Sequence, residues 1–251
     1  MNAADVYTLA IRRPRRIAAG TRVALVALVA GLNAVPASSQ TGTCAAPPEM
    51  EAGAKPAREE WALVADRDRI CVYARRSTGS DVHEVMGITT VAATPARIYE
   101  VLADFERYPE FMPYVTTSKM LRKDGDTAWV FQQLALPFPI SDRHYTIRLQ
   151  FDASLAGGNR YRITWTLAGA NEPSQQGTGE RTLINNGYWD VRPLGGNTAP
   201  QVTYYVHTDP GGALPAFAVN MASTVSVPLV LEKLRARALG SLPANGSTPR
   251  E

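Results

Sequence analysis

The chain has 251 residues, carries 26 Lys+Arg against 23 Asp+Glu, and is 45 % hydrophobic and 20 % charged. That balance belongs to a globular protein and excludes a disordered, collagen-like or multi-span membrane chain. Two cysteines are too few for a disulfide scaffold and cannot build a four-thiolate zinc site.

The first predicted element is a targeting signal. Arg12, Arg13, Arg15 and Arg16 precede the apolar run Val23–Ala34, and Val35-Pro36-Ala37 supplies small residues for cleavage. This is the layout of a secretory signal peptide over residues 1–37, cleaved near Ala37, and it predicts a periplasmic or extracellular protein. The run is too short to cross about 30 Å of hydrocarbon as a stable helix. Removing it takes five Arg and one Asp, so a net charge of +3 becomes −1 in the mature chain. The basic excess belongs to the signal, and no Lys/Arg stripe remains for nucleic acid. Residues 38–57, rich in Pro, Gly, Ala and Ser, read as a flexible leader, and residues 241–251 as a tail. One domain of ordinary size remains, over residues 58–240.

Within it the pattern is mostly strands. Ile70, Val72 and Ala74 alternate with Cys71 and Tyr73, and the turn Ser77-Thr78-Gly79-Ser80 leads into Val82–Val91, which together predict a hairpin. Thr94-Pro95 supplies an N-cap and a first-turn proline for a helix with Ile98, Val101, Leu102 and Phe105 at helical spacing, ending near Asp104. Strands are predicted over Val115–Arg122, Thr127–Leu136, Arg143–Ser154 and Arg160–Leu167, then in Thr182–Ile184, Gly187–Arg192 and Gln201–His207. The domain closes with an apolar helix over Leu214–Leu239, in which Pro228 should introduce a kink.

Side-chain parity gives the faces. Tyr145, Ile147, Leu149 and Phe151 oppose His144, Thr146, Arg148 and Gln150, and Tyr161, Ile163, Trp165 and Leu167 oppose Arg162, Thr164 and Thr166. Trp129, Phe131 and Gln133 share a parity and are assigned to the apolar side. An antiparallel sheet with one buried and one wetter face needs a cover. The final helix supplies it, with Phe217, Met221 and Val225 facing the sheet. The fold class is therefore α+β, an antiparallel sheet wrapped around a long C-terminal helix.

Catalytic signatures are weak. His83, His144 and His207 are far apart and lack metal-ligand spacing, there is no Gly-x-Ser-x-Gly elbow, and Gly177-Thr178-Gly179 is a loop. Asp142-Arg143 reads either as a head-group contact or as a structural pair pinning the proline-rich turn. Cys71 reads as a buried small apolar residue, with a bridge to Cys44 as the alternative.

Several segments, in order, resemble one superfamily, that of START, polyketide cyclase and coenzyme-Q-binding proteins. They are Trp61 with Ile70–Tyr73, then Thr94–Pro113 (TPARIYEVLADFERYPEFMP), Leu136–Tyr145 (LPFPISDRHY), Gly187-Tyr188-Trp189, Pro193 and Asp209–Asn220 (DPGGALPAFAVN). The resemblance covers residues 58–240. It departs from the family at Arg143-His144, where Arg-Asp is usual, and at Arg148, whose parity is that of the wetter face. It implies a helix-grip fold around a cavity for a lipid, sterol or other apolar molecule. The expected lining is Trp129, Phe131, Gln133, Tyr145, Ile147, Leu149, Ile163, Trp165, Phe217, Met221 and Val225. The expected protein is a monomeric, non-enzymatic binding and transfer protein with transient membrane contact, no nucleic acid, no cofactor and no metal. The alternatives are a polyketide aromatase/cyclase on the same fold, and a scaffold with a collapsed cavity that binds a protein.

Overall fold

The computed structural model describes Cys44, residues 61–196 and residues 198–241, all within a unit spanning Cys44–Glu251. The predicted signal peptide, the predicted leader apart from Cys44 and the predicted tail beyond Ser241 lie outside the described residues. Strands β1 (Ala62–Arg67), β2 (Ile70–Ser77) and β3 (Ser80–Thr90) come first, followed by helix α1 (Pro95–Ala103) and a 3-10 helix over Phe105–Glu110. Next are β4 (Val115–Asp124), β5 (Thr127–Leu134), β6 (Arg143–Asp152), β7 (Tyr161–Leu167), the short β8 (Glu180–Arg181), β9 (Ile184–Arg192) and β10 (Gln201–Asp209). Helix α2 (Ala216–Ala238) ends the domain.

The strands form one sheet in the order β1-β2-β3-β10-β9-β7-β6-β5-β4, with β8 added in parallel to β6. All other neighbours are antiparallel. The expected hairpin, the Thr94 cap, whose hydroxyl accepts from the Arg97 amide at 3.2 Å, and the helix end at Asp104 are all present. Strand β1 was not foreseen, since exposed Leu63 and Val64 give it no buried face.

The face that carries the helices is the inner one. Val72, Val85, Val130, Ile147, Leu149, Ile163, Trp189, Val191 and Val202 point into it and pack with Ile98 and Leu102 of α1 and Leu231 and Leu234 of α2. Gly87 lets α2 come so close: a Cβ there would stand 2.6 Å from Val227 Cγ1 and from Leu231 Cδ1. The outer face is built differently. Arg75 pairs with Glu84 at 2.6 Å, Tyr205 donates to Glu84 at 2.9 Å, Tyr205 stacks on Tyr188, and Arg162 lies over Tyr188 and 3.6 Å from Asp190. Arg160 holds Asp190 at 2.9 Å. At one edge of this network Cys44 and Cys71 form a disulfide beside Tyr73, Met86 and Ile88.

Candidate functional site

Helix α2 changes character along its length. Val227, Pro228, Leu231, Leu234 and Ala238 are buried, whereas none of residues 216–226 is. The inner face below the helices is filled by Ile70, Leu149, Ile163 and Val191, with α1 against them. The same face carries Tyr145, Trp165, Asn185, Tyr204 and Val206.

Polar groups gather here. Tyr145 donates to Gln132 Oε1 at 2.7 Å, Gln132 Nε2 donates to Ser118 Oγ at 3.1 Å, and Trp165 Nε1 donates to Asn185 Oδ1 at 2.9 Å. Tyr204 stacks on Trp189 and on Trp165, with ring centroids 4.2 and 6.0 Å apart. Burial pushes the Tyr145 phenol up to about 12, an effect that the nearby Asn185 amide partly offsets. Burial also raises Tyr204, with Tyr145 adding to the shift. Both side chains are nevertheless half-buried and not fully enclosed.

Arg143 begins β6, two residues before Tyr145 and on the same parity. It is 4 % exposed and shares the inner face, but its guanidinium is spent on carbonyls: Pro210 at 2.7 Å, Ser141 at 2.6 Å, Asp142 at 3.1 Å and Gly211 at 3.1 Å. It ties the β5–β6 loop to the loop that enters α2. Of the two sequence readings of Asp142-Arg143, the pinning one describes this geometry, with carbonyls in place of a carboxylate. A separate pocket of about 350 Å³ lies between α1 and the end of α2, lined by Arg97, Glu100, Asp104, Arg107 and Arg237. Its charges neutralise one another, with Arg97 3.4 Å from Glu100, Arg107 3.4 Å from Asp104 and Arg237 2.6 Å from Glu110.

The expected lining residues divide into three groups. Tyr145, Ile147, Leu149, Ile163 and Trp165 are on the inner face, where the parity of β6 and β7 placed them. Trp129, Phe131 and Gln133 are not, and their assignment is corrected. The register pairs them with Arg148, Thr146 and His144, so they belong to the outer face, and Ala128, Val130 and Gln132 take the inner one. Their misleading burial has a physical cause. The loop after β7 lies across this outer surface, with Gln133 accepting from the Thr178 amide at 2.9 Å and Glu172 lying 3.5 Å from Arg148. Phe217, Met221 and Val225 are corrected as well: they are 65 %, 42 % and 37 % exposed and line the outside of α2.

The chain matches the family described as polyketide cyclase/dehydrase and lipid transport over residues 91–235. It belongs to that family. An uncharacterized protein of Pseudomonas aeruginosa is 28 % identical, the match covering 72 % of this chain and 87 % of that one. The human phosphatidylcholine transfer protein is 25 % identical, with 70 % and 82 % covered. A solved STAR-related lipid transfer protein fragment from Xanthomonas axonopodis superposes with a TM-score of 0.64 at 24 % identity, covering 72 % of this chain and 99 % of that one. The large antiparallel sheet with a C-terminal helix is the START-like arrangement that the sequence resemblance implied.

Gln132, Ser118, Asn185 and Tyr204 were missed by sequence reasoning. Gln132 was hidden because its neighbour Gln133 offered the same chemistry on the other parity. Asn185 stands in Asn185-Asn186-Gly187, which reads as a turn but continues β9. Counting back in twos from Trp189 would have placed it inward.

Proposed function

We propose that the protein is an exported, monomeric, non-enzymatic carrier that binds a lipid or comparable apolar molecule between the sheet and the N-terminal half of α2, and exchanges it at a membrane surface. One observation carries the reading. The half-helix Ala216–Ser226 contains no buried residue and exposes the apolar stripe Phe217, Met221 and Val225. An unpacked inner side and an exposed apolar outer stripe both call for cover. A ligand would supply the inner cover, at roughly 0.8 kcal/mol per buried methylene.

Membrane contact would supply the other. Phe217 and Met221 are exposed there, and the same end carries Phe138, 94 % exposed, and Leu183, 64 % exposed. Arg143 draws the Phe138 loop to Pro210 and Gly211, and Gly211 lies against Leu183, which keeps these loops together. Gly211 and Gly212, both at positive φ, give the entrance loop freedom to swing. The disulfide supports export, since such bonds persist in oxidising compartments. The cyclase reading is not favoured. Tyr145 holds its proton at neutral pH, and Arg143 is committed to carbonyls.

The test is organic extraction of protein purified from its own cells, with mass spectrometry of the extract and of the intact chain, and vesicle-to-vesicle transfer of a labelled lipid. A co-purified apolar molecule, transfer above the protein-free rate and a mature chain beginning at Ser38 are expected. A ligand-free protein that moves no lipid would overturn the proposal.

A further inference from the structure

We infer that the inner site takes an uncharged ligand presenting a hydrogen-bond acceptor, a ketone or ester carbonyl, and that Gln132, Asn185 and Ser118 read it. The inference rests on the carrier reading above and specifies the ligand's chemistry.

The argument starts from a group whose polarity is fixed. The Trp165 indole N–H can only donate, so the atom of Asn185 that meets it at 2.9 Å is the amide oxygen. The Asn185 NH₂ is thereby turned to the other side, where it lies against the Tyr145 hydroxyl. That hydroxyl's own proton goes to Gln132 Oε1 at 2.7 Å, which turns the Gln132 NH₂ toward Ser118 Oγ at 3.1 Å. The indole thus fixes the Asn185 amide, and beside it Tyr145 to Gln132 to Ser118 is a run of two bonds donating in one direction.

The row consumes acceptors and leaves donors. Each amide oxygen accepts one bond. The second N–H of Gln132, the second N–H of Asn185 and the hydroxyl hydrogen of Ser118 remain unspent, and the Tyr204 hydroxyl beside Tyr145 has no partner among the described residues. Ser118, Gln132 and Asn185 are 8 %, 4 % and 6 % exposed. Buried N–H groups without an acceptor are rarer and costlier than carbonyls with a spare lone pair. The space therefore favours a ligand that brings an acceptor.

Charge selects further. On the inner face of β5, β6, β7, β9 and β10 the one charged side chain among the described residues is Arg143, already held by four carbonyl oxygens. An anionic head group would meet neutral amides and hydroxyls with no cation to balance it, and a cationic one would meet donors. Both lose to a neutral carbonyl.

The experiment titrates the secreted protein with three probes of equal length: a seventeen-carbon methyl ketone, the alkane and the carboxylate, followed by Trp fluorescence and by calorimetry. The ketone should bind at least tenfold more tightly than either of the others. Gln132→Met, and independently Asn185→Leu, should weaken the ketone about tenfold and leave the alkane unchanged. Alkane or carboxylate binding as tight as the ketone's overturns this inference and leaves the carrier reading standing. Variants that weaken ketone and alkane alike, or neither, also overturn it. Failure of all three probes to bind the unmodified protein overturns the carrier reading itself.

Discussion

Gly87→Ala tests how α2 is seated. The added Cβ would stand 2.6 Å from Leu231 Cδ1 and 2.6 Å from Val227 Cγ1. Carbon atoms pack best at about 3.5–4.0 Å, so two side chains must each retreat by about 1 Å. Neither has room, since Leu231 is 0 % and Val227 2 % exposed. Both belong to the packed half of the helix, so the strain passes to the backbone of α2. Overpacking of this kind costs about 1–3 kcal/mol. A 2 kcal/mol loss would lower the Tm by about 4–8 °C for a domain of this size. Gly157→Ala is the reference, because nothing lies within 4 Å of its Cβ and its φ is unremarkable; its stability should stay within about 0.5 kcal/mol of the parent. Urea unfolding followed by Trp fluorescence, with calorimetry, reads both. Adding Val227→Ala removes one of the two obstructing methyls, so the double variant should be less destabilised than the sum of its parts. Equal midpoints for Gly87→Ala and Gly157→Ala would refute the docking argument.

Two other substitutions probe the site. Arg143→Met strips four carbonyls of a charged donor and should cost about 2–3 kcal/mol in urea unfolding, with faster ligand release in stopped-flow displacement; unchanged stability and release would show that the loop holds itself. The Tyr145 phenol, pushed up to about 12 in the folded chain, lies above its unfolded value of about 10. Its contribution to stability is therefore complete below about pH 10 and is lost as pH rises through about 12. In a tyrosinate absorbance titration of folded protein, Tyr145→Phe should remove a step near pH 12, and removal of a step near pH 10 would contradict the burial argument.

The sheet was legible wherever one face stayed wet. In β6 the alternation of Ile147 and Leu149 with exposed Arg148 and Gln150 reports the inner face directly. In β5 it fails, because Ala128, Trp129, Val130, Phe131 and Gln132 are all buried, one set by the core and the other by the loop after β7. Only the cross-strand register with β6 distinguishes them, and an eight-residue loop between the strands leaves that register unspecified in the sequence. Helix α2 was found but not its orientation. The Phe217/Met221/Val225 stripe and the Val227/Leu231/Leu234 stripe are equally apolar, so hydropathy cannot choose between them. The outer network of Arg75, Glu84, Tyr205, Tyr188, Arg162 and Asp190 joins five strands, and no local pattern could have assembled it.

The two halves of α2 are also held by different forces. The C-terminal half is held by packing, and truncating a buried Leu such as Leu231 or Leu234 typically costs about 2–5 kcal/mol. The N-terminal half is held by polar tethers. Asn220 accepts from the His83 amide at 2.8 Å and donates to the Asp81 carbonyl at 3.1 Å, while Arg143 grips the loop before it. The two neutral Asn220 bonds contribute only about 0.5–1.5 kcal/mol each, and the charged Arg143 donor somewhat more. Pro228 stands at the junction and supplies no amide to the Thr224 carbonyl, so the helical ladder is already interrupted where the two halves meet. The N-terminal half can therefore lift for a few kcal/mol while the C-terminal half remains on Gly87, a local opening far cheaper than unfolding the domain. An apolar phase would cover Phe217 and Met221, which water leaves exposed, so on the carrier reading the exchange rate should depend on the surface the protein touches as well as on the ligand.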